Sequence, residues 1–190
     1  MEQIVNKAIS YVKELFAANY GGHDAAHTLR VYRNALKIAE KEPGCDMLIV
    51  SLGALLHDAD DYKLFNTQNN ANARSFLTRN NLPEDVVDRI CAVINGVSFS
   101  RNRGKRPETV EGRIVQDADR LDGIGAIGIA RTFAYGGEHE RSLEASIQHF
   151  YDKLLHLRDE MCTEAAKEMA SERHAFMEEF LRHWDMETNA

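Results

Sequence analysis

Apolar residues recur at steps of three and four along most of the chain. Val5, Ala8, Ile9, Val12, Leu15 and Phe16 share one face of a helix running to about Asn19. Gly21-Gly22 breaks it, and Asp24 is placed to cap a second helix ending near Glu40. Pro43-Gly44 forms a turn, and Asp46 can cap a third helix that runs through Ser51 and Leu55 to His57-Asp58. A weaker helix spans about 68–78. Pro83 falls where a first helical position should be, with Glu84 and Asp85 in the first turn and Val86, Ile90, Val93 and Ile94 along one side. After a polar, basic loop from Ser98 to Pro107, helical spacing resumes near Thr109 and carries on to the neighbourhood of Phe133, where Gly136-Gly137 stops it. Two long helices, about 141–157 and 162–185, complete the chain. No alternating strand, repeat or linker interrupts this pattern, which predicts an all-α single domain over residues 1–190.

Composition narrows the class without naming a function. With 190 residues, 44% apolar and 28% charged, the chain is long enough for one sizeable core. A net charge of −7 argues against a nucleic-acid partner or an anionic membrane surface, either of which wants a basic field. The first ten residues carry Glu2 and Lys7 and no apolar h-region, so no signal peptide is expected. The longest nearly apolar run, Met47 to Leu56, is far short of the roughly 20 residues that span a bilayer. Cys45, Cys91 and Cys162 are odd in number and lack C-x-x-C spacing, which fits reduced thiols. Together these features predict a cytoplasmic protein.

Chemistry enters with the histidines. His57-Asp58 ends the most apolar helix, so an imidazole and a carboxylate are expected at or inside the core. Such charge is costly unless paired or metal-bound. A His2Asp2 donor set suits a divalent transition metal with water completing the shell. The plain alternative is a helix-terminal histidine beside a solvated aspartate, and His23-Asp24 shows how ordinary the dipeptide is. His139, His149, His156, His174 and His183 fall in surface-like helical patterns, and no histidine occurs between Ala59 and Arg113. Gly123 to Gly128 matches G-x-G-x-x-G, but helix rather than strand precedes it, so close packing explains the glycines better than a dinucleotide.

Three segments carry a resemblance. Gly22-His23-Asp24-Ala25-Ala26-His27-Thr28-Leu29-Arg30-Val31, Leu55-Leu56-His57-Asp58-Ala59-Asp60-Asp61 and Ile114-Val115-Gln116-Asp117-Ala118-Asp119-Arg120-Leu121-Asp122 resemble, in order, the motifs of the HD-domain superfamily of metal-dependent phosphohydrolases. They look most like its small bacterial members. The resemblance implies an HD-type helical bundle over 1–190, with the helices from about 141 to 185 packing on the metal-binding core. It implies one divalent ion held by His27, His57, Asp58 and Asp119. Manganese, magnesium, cobalt, nickel, iron and zinc are not distinguished. A helical wheel around Ala118 puts Asp117 closer than Asp119 to the buried side with Ile114, Leu121 and Gly125, so spacing favours Asp117. The Ala118-Asp119-Arg120-Leu121 core instead resembles the family signature whose aspartate binds metal, and Asp119 is taken as the ligand with Asp117 the alternative. Two-metal members resemble one another in extra histidines between the His-Asp motif and the last aspartate. This interval has none, so one metal is expected and oxygenase chemistry is not.

The remaining roles come partly from the resemblance and partly from the placement and charge of the residues themselves. Asp61, three residues beyond Asp58 and on its face if the helix continues, matches an acidic position that could place or deprotonate water. Lys63 could neutralise phosphate, or be a surface lysine. His23, Arg30 and Arg131 are candidate substrate contacts, although a helix C-terminus welcomes arginine in any case. The four cations of Ser100 to Arg106 could steer phosphate or form a solvated loop. The expected substrate is a small phosphorylated molecule, a nucleotide, hydrolysed at a phosphate ester or pyrophosphate bond. A non-catalytic regulatory module binding metal and nucleotide is the alternative. Met177, Trp184 and the other large residues of the last helix are expected as core or as the face of a homodimer.

Overall fold

Asp24, Asp46 and Ser142 each start a helix in the same way, a side-chain oxygen accepting backbone N–H groups that the first turn leaves over. Asp24 accepts from His27 at 2.6 Å, Asp46 from Leu48 at 3.0 Å, and Ser142 from Ala145 at 3.1 Å. The computed structural model describes residues 1–19, 24–98, 102 and 104–188. Among these the elements are all helical: α1 (Glu2–Leu15), α2 (Ala25–Ala39), α3 (Met47–Leu56), α4 (Ala71–Arg79), α5 (Glu84–Val97), α6 (Val110–Asp122), α7 (Gly125–Glu138), α8 (Leu143–Asp152), a 3-10 segment (Leu154–Glu160) and α9 (Glu164–Thr188). None is long and apolar enough to cross a membrane.

Contacts divide the chain into two compact units, Met1–Asp119 and Arg120–Ala190. At the centre of the first lies α3, with Val50, Leu52, Ala54, Leu55 and Leu56 fully buried and α1, α2 and α5 packed around it. Each buried leucine or isoleucine contributes about 1.5–3 kcal/mol, so α3 is held on every side. Its approach to α5 depends on Gly53, where a Cβ would meet Val93 Cγ1 at 2.8 Å. Across to α6, Asn34 of α2 donates to the Ala118 carbonyl at 3.2 Å. In the second unit α7 packs on α8 and α9. Phe133, Phe150, Phe180 and Trp184 form its aromatic cluster, and Met177 is fully buried.

Several boundaries differ from the sequence pattern. The helix expected from Thr109 to Phe133 is two helices, broken at Gly123 and Ile124, and Gly125 begins α7 at φ +73°. Gly136-Gly137 does not stop α7, which runs to Glu138. A Cβ on Gly136 would lie 2.6 Å from Ser146 Oγ, so that glycine admits α8 rather than ending α7. The helix expected over 141–157 divides into α8 and the 3-10 segment. Pro83 is the N-cap of α5 rather than its first residue. His174, expected at the surface, is buried, with Nε2 3.2 Å from Glu178.

Candidate metal centre

Three helix ends supply the polar groups. His27 is the third residue of α2, and the Asp24 cap that receives its backbone N–H fixes the turn it stands on. His57 follows the last residue of α3 and inherits that helix's rigidity. Asp58 comes next, and Asp119 lies in the last turn of α6. The two imidazoles are almost fully buried, whereas Asp58 and Asp119 keep side-chain exposures of 11% and 24%.

His27, His57 and Asp119 turn one donor atom each to a common point, and Asp58 lies beside the two imidazoles. His27 Nε2 is 3.3 Å from His57 Nε2, 3.4 Å from Asp58 Oδ2 and 3.4 Å from Asp119 Oδ1. His57 Nε2 is 3.2 Å from Asp58 Oδ2 and 3.8 Å from Asp119 Oδ1. A divalent ion holds such donors at about 2.0–2.2 Å, which puts neighbours about 3.0 Å apart in an octahedron and about 3.4 Å apart in a tetrahedron. The observed separations run close to that spacing. His57 Nδ1 lies 2.8 Å from the Ala54 carbonyl oxygen. A carbonyl can only accept, so the neutral ring carries its proton on Nδ1 and turns the Nε2 lone pair to the cluster. The residues therefore fit a divalent cation.

Without a metal the cluster balances charge through protons. Burial opposes a charge on His57, but the neighbouring Asp58 and Asp119 carboxylates outweigh it and hold the imidazole above its ordinary pKa. Burial likewise pushes Asp119 up, and the hydrogen bond from His27 with the two imidazoles nearby outweighs it, leaving the carboxyl below its usual value. His57 is thus a place where a cation is favoured, whether a proton or a metal.

Other expected site residues are placed differently. Asp117 is fully buried, and two residues along a helix turn its side chain by about 200° from Asp119. The helical wheel identified the more buried aspartate, and the cluster takes the less buried one. The condition attached to Asp61 is not met, because α3 ends at Leu56 and turns follow. Asp61 Oδ1 accepts the backbone N–H of Lys63 at 2.8 Å, and Lys63 is exposed with Nζ 5.9 Å from the Tyr62 ring centroid. Arg30 is half-buried on α2, three residues after His27. Arg131 lies inside α7 rather than at its end and pairs with Asp122 Oδ2 at 2.7 Å. His23, Ser100, Arg101 and Arg103 lie outside the described residues.

Two supports escaped the sequence reading. Asp60 accepts the backbone N–H groups of Asn72 at 2.9 Å and Ala73 at 3.0 Å, and Asn72 Nδ2 returns a bond to the Ala59 carbonyl at 2.8 Å. The segment after His57-Asp58 is thereby fastened to the start of α4. Asn34 had a visible signal, being a polar residue seven positions after His27 within the apolar stripe of Val31, Ala35 and Ile38. Asp60 had none, since its partners are a dozen residues away.

Known proteins resemble this chain along most of its length. The HD domain family model matches residues 24–124. YpgQ of Bacillus subtilis (strain 168) is 40% identical over 182 residues, spanning 91% of this chain and 88% of that protein. The crystal structure of Bacillus subtilis YpgQ in complex with ADP is similar with a TM-score of 0.84 and 33% identity, covering 97% of this chain and 95% of that one. The crystal structure of an HD-superfamily hydrolase from Bacillus thuringiensis is similar with a TM-score of 0.84 and 36% identity, covering 100% and 98%.

Proposed function

The chain belongs to the HD domain family, and from that premise we propose that it is a metal-dependent phosphohydrolase acting on a nucleotide. The observation that carries this reading is the convergence of His27, His57, Asp58 and Asp119, with the His57 Nδ1 proton committed to Ala54. A divalent ion held there would acidify a bound water and draw charge from phosphoryl oxygens. Two neutral imidazoles and two carboxylates would together carry −2 and balance a divalent ion, so the substrate's phosphate charge would be met by cations outside the ligand set. The ADP complex of YpgQ supports a nucleotide as that substrate.

Asp61 is proposed to position or deprotonate the attacking water, with the Lys63 N–H on its Oδ1 fixing the carboxylate's direction. Lys63, His23 and Arg30 are proposed to meet phosphate charge. Arg131 already holds Asp122 Oδ2 at 2.7 Å. The proposal treats residues 1–190 as one functional domain, of which the family match covers 24–124.

The test is a panel of manganese, magnesium, cobalt, nickel, iron and zinc forms against nucleoside mono-, di- and triphosphates, with phosphate and pyrophosphate measured separately. At least one form is expected to turn over. Asp58→Ala is expected to lose metal, and Asp61→Ala to keep metal while turnover falls by about a hundredfold. Metal uptake without turnover on any nucleotide would instead make the chain a binding module, and full activity in Asp61→Ala would remove that residue's role.

A further inference from the structure

Asp119 stands in the last turn of α6, where a helix is weakest. The final four carbonyls of an α-helix have no intrahelical donors, and here they belong to Asp119, Arg120, Leu121 and Asp122. The Arg120 carbonyl accepts the Gly123 N–H at 3.0 Å. Side chains from two later helices serve the next two. The Leu121 carbonyl accepts a long bond from the Ile124 N–H at 3.4 Å and a second from the guanidinium of Arg173 on α9. The Asp122 carbonyl accepts from Arg131 Nη1 of α7 at 3.3 Å, and the same nitrogen lies 2.7 Å from Asp122 Oδ2. Arg120, almost fully buried, reaches the Glu160 carbonyl at 2.6 Å.

Three consecutive residues after Asp119 are therefore each tied by a guanidinium. Cationic groups at a helix C-terminus also complement its dipole. The Asp122 carboxylate is 2% exposed, so the charge beside Arg131 is one that the fold has buried and paired. Burial lowers the pKa of Arg173, and the nearby Asp122 acts against that shift.

We propose that Arg131 and Arg173 are positioning residues for Asp119, holding its carboxylate in place through the backbone of α6. The assignment rests on Asp119 being a metal ligand. It gives Arg131 a role that acts through the helix rather than on the substrate. When either arginine is removed, the last turn frays and Asp119 samples orientations that miss His27 and His57.

The test uses the full chain as Arg131→Ala, Arg131→Lys and Arg173→Ala, with two measurements. Amide hydrogen exchange on metal-free protein is expected to quicken at Leu121 to Ile124 and stay unchanged in α3. Calorimetric titration with Mn2+ is expected to show an affinity loss of about tenfold in either alanine variant. Arg131→Lys recovers part of it, since an ammonium keeps the charge but lacks the fork that meets carboxylate and carbonyl together. Should Arg131→Ala not fold, Arg131→Lys and Arg173→Ala carry the same comparison. In metal-free Asp119→Ala protein, Arg131→Ala is expected to quicken amide exchange at Leu121 to Ile124 as it does in the wild-type background, because the fraying does not need the ligand. Folded variants with wild-type Mn2+ affinity, or with unchanged exchange at Leu121 to Ile124, overturn the assignment alone. A wild-type chain that takes up no divalent ion overturns the metal reading and the assignment with it.

Discussion

Metal uptake by this chain should fall on acidification, beginning above the ordinary imidazole range. In the metal-free protein, burial disfavours the His57 imidazolium, but Asp58 at 3.2 Å and Asp119 at 3.8 Å outweigh burial and raise its pKa above 6.5. Asp119 moves the other way, to below 3.8. Between those limits the species competing with the metal is a proton on His57. Each pH unit below the imidazole pKa lowers apparent affinity tenfold, about 1.4 kcal/mol, so descending from pH 6.5 to 4.5 costs about 3 kcal/mol. Mn2+ titrations from pH 8 to pH 5, in buffers of different ionisation enthalpy, measure both the slope and the protons released. About one proton per ion is expected in the acidic range. The metal-free fold has the opposite dependence near neutrality. A raised imidazole pKa stabilises it below the unfolded value of about 6.5 and that contribution disappears as pH rises through the folded value. The lowered Asp119 pKa contributes above about 3.8 and is lost as pH falls through its folded value. Chelated protein should therefore melt lower at pH 8 than at pH 6, while loaded protein melts higher. Affinity flat from pH 7 to pH 5 with no proton release would refute the pairing of His57 with the two carboxylates.

Five substitutions probe the ligands, the supports and the helix packing separately. Asp119→Asn should lose bound metal while Asp117→Asn keeps it, and the reverse metal contents would move the ligand to Asp117. Asp60→Ala removes the carboxylate that accepts two backbone N–H groups at the start of α4 and should cost about 1–2 kcal/mol, a few degrees in Tm. An unchanged denaturation midpoint would mean that other acceptors replace it. Gly128→Ala would put a Cβ 2.3 Å from the Gly123 carbonyl oxygen, which is backbone and cannot rotate away, so a loss of about 2–3 kcal/mol is expected by chemical denaturation. Gly137→Ala, with nothing within 4 Å, should instead gain about 0.5–1 kcal/mol.

What was legible in the chain was what is local. Asp24 and Asp46 act within three residues of themselves, and both caps are where the sequence puts them. The α3 core follows from an unbroken apolar run. The break between α6 and α7 was invisible because Leu121, Ile124 and Gly128 keep helical spacing across it, while the turn depends on a positive φ at Gly125. Gly136-Gly137 misled for a related reason. Two glycines weaken a helix by only about 1 kcal/mol each, and the close approach of Ser146 needs one of them. Asp61 depended on a helix continuing past His57, and no residue there signals that it ends. The arginines that grip the end of α6 come from 9 and 52 residues away along the chain, a distance over which periodicity carries no information.

Helix ends explain both why the polar cluster can exist and where it is vulnerable. Four ionisable groups in the middle of apolar stripes would interrupt the packing that holds the helices together. At termini they converge without displacing a core side chain, as His57 does beyond Leu56. The same placement leaves each group on backbone that the helix itself secures least. Asp24 secures His27, Asp60 and Asn72 fasten the segment after Asp58, and Arg131 with Arg173 closes the turn of Asp119. Each fastening is a hydrogen bond from outside the stripe, so core stability and cluster geometry are separable. A substitution in α3 should lower stability in proportion to the area it uncovers, whereas one in a fastening should change metal affinity more than it changes the melting temperature.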